Sequence, residues 1–199
     1  MNAPVPAQVA DHRDVVTVLA TAFSQDPVFS ALLPETGSRT DRLHRFFSLE
    51  AGPWALDFGK SWILRDAGQV LGAAVVLPSA RRHNPDQNRP ANILGYLRTF
   101  GRRSLHARRF LEVLEGAHPR EDHLYLPFIG AAQPGRGAGA LLMTAMTRAA
   151  DQAGSPMYLE ASSAASASLY RRHGFVDTGT IEAPGVPVMY PMWREPSDA

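Results

Sequence analysis

The sequence predicts a mixed α/β (α+β) domain, and three observations carry that expectation. Two β-rich runs in "SWILRDAGQVLGAAVVLP" flank Asp66-Ala67-Gly68 and read as a hairpin. From residue 123 onwards, strand-like and helix-like segments alternate. Ahead of the hairpin, apolar residues recur at helical spacing. At 199 residues, without an internal repeat or a long linker, the simplest organisation is one domain spanning 1–199.

The elements follow in order. Residues 5–9 form a short strand, and Asp11 stands as the N-cap of a helix over "HRDVVTVLATAFSQ", with Val15, Val18, Leu19, Ala22 and Phe23 on one face. Asp26-Pro27 ends it, and "VFSALLP" is a short turn or helix. "TDRLHRFFSLEAGPWAL" places Leu43, Phe46, Phe47 and Leu49 or Glu50 at helical spacing. After the hairpin, the polar segment 79–91 is a surface loop, and 92–117 is helical. "HLYLPFIGAA" is a buried strand in which Pro127, lacking an N–H, predicts a bulge or an unpaired splay. A helix over about 138–152, a strand in "SPMYLEASS" and a helix in "ASASLYRRHGF" stopped by Gly174 come next. Strands near 175–182 and 187–194 complete a set of about six to seven.

Composition narrows the chemistry. Twenty basic residues against 19 acidic ones leave a formal charge of +1, so no global field favours nucleic acid or anionic lipid. The arginines of 98–109 alternate with Leu97, Phe100, Leu105 and Phe110, as on any amphipathic helix. With no cysteine, disulfides, thiolate metal sites and a thiol nucleophile are excluded. No histidine spacing suits a metal. "MNAPVPAQVADHRD" does not read as a signal peptide and no run of about 18 apolar residues occurs, so a cytoplasmic location is expected.

"AAQPGRGAGALLM" carries the most information. Gly135, Gly137 and Gly139 sit where a strand passes into a helix, a junction that exposes N–H groups and the positive helix end. Such a turn can cradle a phosphate, or be a tight turn with no ligand. It is not a P-loop, since Lys60 is the only lysine, and Ala140 and Leu142 stand where a dinucleotide fingerprint needs its last glycine.

In its context, "PGRGAGALL" resembles the pyrophosphate-binding motif Q/R-x-x-G-x-G/A of the GNAT superfamily of acyl-CoA-dependent N-acyltransferases, with Gly137 and Gly139 in the two glycine places. The layout is most similar to the branch containing puromycin N-acetyltransferase: "TAFSQDPVF", "HLYLPFIGAAQPGRGAGALL", "YLEASS…LYRRHGF" and "YPMWRE" fall in the same order. Pro134 departs from the Gln/Arg place, with Gln133 one residue early, and Ser163 stands where many members have Asn.

The resemblance implies a mostly antiparallel twisted sheet flanked by helices and splayed between strands four and five. It implies acetyl-CoA as co-substrate, held by Ile129, Gly130 and Ala131, by the loop and helix start Arg136, Gly137, Ala138, Gly139, Ala140 and Leu141, and by Ser163. It places Tyr170 near the CoA sulfur as general acid. Glu160, ending the fifth strand, is the candidate base, and a cap-forming carboxylate is the alternative. His118 and His123 flank a loop entering the central strand, where a structural role is preferred over a catalytic one.

The expected activity is acetyl transfer to a primary amine of a small molecule, by direct attack in a ternary complex, in a monomer or homodimer. The alternatives are a catalytically silent acyl-CoA-binding regulator and an acetyltransferase acting on protein N-termini or lysines.

Overall fold

The expected hairpin forms the middle of the sheet. Ala67 and Gly68 turn it with positive φ values of 46° and 78°, as a primed two-residue turn requires. The computed structural model describes residues 2–197, so residue 1 and residues 198–199 of the expected 1–199 domain lie outside the described residues.

The helices are α1 (His12–Ala22), α2 (Pro27–Leu32), α3 (Arg39–Glu50), α4 (Pro53–Leu56), α5 (Pro90–Phe100), α6 (Ser104–Ala117), α7 (Ala138–Gln152) and α8 (Ala164–Arg171). The strands are β1 (Val5–Pro6), β2 (Trp62–Asp66), β3 (Gln69–Pro78), β4 (Leu124–Ala131), β5 (Met157–Ala161), β6 (Val176–Asp177), β7 (Ile181–Ala183) and β8 (Val186–Arg194). Their order is β1-β2-β3-β4-β5-β8-β6, with β7 also pairing β8. Every pairing is antiparallel except β4 with β5. The described residues thus give eight strands rather than six to seven, because the expected strand 175–182 is interrupted and forms β6 and β7.

Period-two alternation divides the sheet between two cores. Ile63, Ala73, Val75 and Leu77 face a cluster with Leu19 of α1, Phe47 of α3, Phe100 of α5 and Phe110 of α6. Leu64, Ala74 and Val76 face the opposite cluster, with Leu142 and Met146 of α7 and Ala167 of α8.

Three local expectations change. Asp11 makes no side-chain cap to α1. Its carboxylate accepts from Gln8 N–H at 2.7 Å and pairs with Arg65 at 3.0 Å, so a tertiary ion pair outcompetes the cap. Asp26 does not merely end a helix: it caps α2, accepting from Val28 N–H at 2.9 Å and Phe29 N–H at 3.0 Å. The segment 92–117 is two helices, broken at Gly101 with φ 51°, where the Arg42 guanidinium takes the carbonyls of Arg98 and Thr99 at 2.8 and 2.6 Å. The loop 79–91 also carries a buried anchor: Asn84, 4% exposed, donates to Leu49 C=O at 2.9 Å at the end of α3.

Candidate active site

The site begins with a failure of strand pairing. β4 and β5 pair at Leu124↔Met157 and Tyr125↔Tyr158 and then separate, while β5 continues along β8 to Ala161↔Tyr190. Pro127 sits where pairing stops and offers no N–H to a neighbour. On the other edge, Tyr125 pairs Leu77 and Phe128 pairs Val75, so β4 spends an extra residue at Leu126–Pro127. That bulge puts Tyr125 and Phe128 on the same face although they are three apart. Both forms of the Pro127 expectation, bulge and splay, are therefore present.

Past the splay, the backbone divides its groups. Ala132 N–H donates to Leu71 C=O at 2.9 Å, which fixes Gly72↔Ala131 as a non-hydrogen-bonded pair. By alternation, Ile129 and Ala131 turn their N–H and C=O groups into the wedge, and Gly130 turns its own to β3. Glycine at 130 answers to packing: a Cβ there would lie 2.6 Å from Cβ of Ala22.

Beyond the wedge the chain enters α7 through left-handed backbone at Gly135 (φ 81°) and Gly137 (φ 82°), conformations glycine adopts freely. Gly137 is the N-cap and no side chain caps this helix. The first internal bond runs from Leu141 N–H to Gly137 C=O at 3.0 Å, leaving the N–H groups of Ala138, Gly139 and Ala140 without intrahelical partners. A Cβ on Gly139 would make only ordinary contact, 3.8 Å from Leu169, so neither backbone strain nor packing demands glycine there. Arg136 is exposed. Ser163 is occupied as the N-cap of α8, its hydroxyl accepting from Ser166 N–H at 3.2 Å.

On the α3, α5 and α6 side, the wedge opens into a cavity of about 680 Å³. Its walls include Phe23, Phe29, Phe46, Phe100, Phe110 and Phe128, and residues 82–84 and 87 border it from the loop after β3. Several rings meet edge to face, Phe29–Phe46 at 5.0 Å and Phe47–Phe128 at 5.1 Å among them.

The polar groups of this cavity come from distant parts of the chain. Glu160, whose side chain is 4% exposed, accepts at Oε2 from the Tyr125 hydroxyl at 2.8 Å. Its Oε1 is buried and takes no hydrogen bond, and lies 3.6 Å from Nδ1 of His118, also 4% exposed. The Tyr158 hydroxyl is also buried and faces Glu160; burial, then the Glu160 charge, raise its pKa. Burial, then Glu160, push Tyr125 well above the ordinary phenol range. Ser162 donates to Asp26 at 2.6 Å. Tyr170 lines the cavity and packs on Phe175, with ring centroids 6.1 Å apart. Burial, then the Asp26 charge, raise its pKa, so its hydroxyl stays protonated at neutral pH.

The histidine pair has a defined proton order. His123 Nδ1 faces Glu121 C=O at 2.7 Å, an acceptor only, so Nδ1 carries the hydrogen. Burial lowers the His123 pKa and keeps the ring neutral, which leaves Nε2 as an acceptor. His118 Nε2, 3.1 Å away, therefore donates to it. His118 turns its Nδ1 towards the buried Glu160 Oε1, 3.6 Å away, so an imidazole and a carboxyl group face each other inside the cavity.

His118 also borders a second depression of about 480 Å³, lined by Ser79, Arg82, Glu115, Arg120 and Asp122 among others. Among the described residues, no cluster of three or more His, Cys, Asp or Glu could hold a metal, and no helix is long and apolar enough to cross a membrane.

The parallel β4–β5 pair, the splay and the glycine-led α7 define a fold class, and comparison agrees. Residues 93–192 match the Acetyltransferase (GNAT) domain family, and the chain belongs to it. It is accordingly an acyl-CoA-dependent N-acetyltransferase, in a family that uses acetyl-CoA. A Corynebacterium glutamicum structure, described as histone acetyltransferase HPA2 and related acetyltransferase, is 27% identical, with a TM-score of 0.69 over 100% of this chain and 99% of that one. The Drosophila melanogaster polyamine N-acetyltransferase is 16% identical, with a TM-score of 0.60 over 96% and 98%. Arylalkylamine N-acetyltransferase 2 from Aedes aegypti is also 16% identical, with a TM-score of 0.61 over 98% of each chain. At these two identities the likeness is one of fold.

The tertiary structure brings Glu160 and Tyr170 into one cavity and sets the glycine loop beside the wedge. Reading the sequence overlooked Tyr125, Tyr158, Glu50 and Tyr96, and set His118 aside. Two signals were present. Tyr158 and Glu160 alternate onto one face of an apolar strand, and Glu50 continues the stripe of Leu43, Phe46 and Phe47.

Proposed function

We propose that the protein acetylates a primary amine on a small molecule, with the amine bound in the phenylalanine-lined cavity and acetyl-CoA on the α7 side of the wedge. The observation that carries this reading is the buried Glu160 oxygen 3.6 Å from His118 Nδ1, both groups lining a cavity about 680 Å³ in volume. A carboxyl group and an imidazole side by side suit an acceptor that arrives as an ammonium and must lose a proton before attack. The enclosing helices favour a small molecule over a protein tail, which would need an open groove. The order of motifs supports placing the chain near the puromycin N-acetyltransferase branch, without making puromycin its acceptor.

The residues present fit acetyl-CoA. The uncapped N–H groups of Ala138, Gly139 and Ala140, reached past left-handed Gly137, with Leu141 closing the first turn and exposed Arg136 beside them, suit a pyrophosphate. Ile129 and Ala131 offer an open strand edge to the pantetheine arm, and Gly130 permits α1 to lie against it. Ser163 borders this side from the start of α8. Acetyl-CoA supplies the activated acetyl group.

Glu160 and His118 share the proton taken from the amine, and His118 leads it towards His123 and the second depression. Backbone N–H groups of the wedge polarise the acyl carbonyl. Tyr170 is the acid facing the departing sulfur. Because its pKa is raised while a model thiol sits near ~8.5, it acts chiefly by donating a hydrogen bond, with complete transfer uphill. The amine attacks directly, since no cysteine exists to carry the acyl group.

Calorimetric titration with acetyl-CoA, with desulfo-CoA and NADH as controls, followed by CoA-thiol release with a panel of small amines and of peptides, tests this reading. Micromolar acetyl-CoA binding and release with small amines are expected. Release with peptides alone would overturn it.

A further inference from the structure

We propose that Glu50 and Tyr96 form a second polar anchor in the cavity, selecting aromatic primary amines that carry another hydrogen-bond donor at the end remote from the reacting nitrogen. The inference rests on reading this cavity as the acceptor site. Glu50 is the last residue of α3 and lies on its apolar stripe, beside Phe46 and Phe47 in the helical wheel. A carboxylate at such a position is costly to bury without partners. Its Oε1 accepts from the Tyr96 hydroxyl of α5. Among the described residues no Arg or Lys pairs with it, its other oxygen takes no hydrogen bond, and both Glu50 and Tyr96 line the cavity.

The pair is held from outside. Asn84 and Trp54 both donate to Leu49 C=O, at 2.9 and 2.8 Å, and so fix the end of α3 that carries Glu50. Asn84 also acts on the Tyr96 hydroxyl, opposing the rise in its pKa that burial and Glu50 cause. Glu50 and Glu160 both act on Tyr125, so the two carboxylates address one cavity from separate elements. Phe rings line the same cavity, and their edges and faces suit an aromatic body. The arginines on the lining pair elsewhere, Arg82 with Glu115 and Arg108 with Glu112. A ligand with one amine and no second donor would leave Glu50 desolvated and underpaired, a penalty that discriminates strongly between close analogues.

The test uses tyramine and 2-phenylethylamine, which differ only by the ring hydroxyl, titrated calorimetrically into the protein with desulfo-CoA present. The wild type should bind tyramine about 10-fold more tightly, as one hydrogen bond to a carboxyl group whose pKa burial has raised allows. In Glu50→Leu the ratio should collapse towards one, and in Glu50→Gln, which keeps the shape, it should fall. Equal binding of both amines by the wild type, or a ratio that survives Glu50→Leu and Glu50→Gln, would overturn the anchor. CoA release assayed in parallel separates the two readings. A Glu50-dependent ratio without release sinks acetyl transfer and keeps the anchor, whereas release with no ratio does the reverse. Binding of neither amine overturns the anchor.

Discussion

The two faces of the sheet build their sites in opposite ways. On the α7 and α8 face, thirteen consecutive residues from Ile129 to Leu141 supply an open strand edge, two left-handed glycines and an uncapped helix start. Almost all of that chemistry is backbone. On the α3, α5 and α6 face, the polar groups are side chains of Asp26, Glu50, Tyr96, His118, Tyr125 and Glu160, drawn from six segments. A backbone site tolerates change in side chains but not in φ. A side-chain site tolerates neither loss of charge nor loss of its neighbours. The contrast agrees with a family that keeps one donor and changes acceptors.

The sharpest way to break this contrast is Glu160→Gln. Removing the proposed base should lower kcat by about 10³-fold at neutral pH, with acetyl-CoA affinity unchanged by calorimetry. A parallel loss of acetyl-CoA affinity would show that the faces are not separable.

Asp151→Asn comes next. Asp151 of α7 holds Arg194 of β8 through two bonds of 2.7 and 2.8 Å, with Arg194 only 7% exposed. Leaving that guanidinium unpaired should cost about 3 kcal/mol in denaturant unfolding. Unchanged stability would mean that solvent screens the pair.

Gly137→Val should weaken acetyl-CoA binding about tenfold, because a β-branched residue is strained at φ 82° by ~1–2 kcal/mol. Amine binding should be spared.

The smallest effect lies in pH. His123, with its pKa lowered by burial, favours the fold in its neutral form, so its contribution is complete above the ordinary histidine value near ~6.5 and is lost as pH falls through the depressed one. Asp151, lowered to about 2 chiefly by the Arg194 hydrogen bonds, keeps its contribution until pH drops below the ordinary carboxylate value near ~3.9. Acid should therefore loosen the histidine face first, and turnover should fall before acetyl-CoA binding does. Simultaneous loss, followed by pH titration of both, would contradict this order.

What was legible follows the same division. The hairpin at Asp66–Gly68, the glycine loop and the Pro127 splay could be read because each depends on neighbours in sequence. The continuous helix expected over 92–117 failed at Gly101, where Arg42, some 56 residues upstream of Arg98, takes the helix-end carbonyls. Asp11 looked like a cap until Arg65 reached it across the fold. That His118 faces Glu160 could not be read, because only the β4–β5 pairing places the two side by side.

By itself, then, the sequence determined the succession of elements, the backbone geometry of the glycine loop and the absence of thiol chemistry, since these depend on short-range sterics and composition. Only the tertiary structure decided which carboxyl groups share a cavity, which oxygen is left without a hydrogen bond and which histidine it faces. Those are properties of distances between residues remote in the chain, and in a buried, low-dielectric site an ångström of separation decides whether a charge is paired or poised to react.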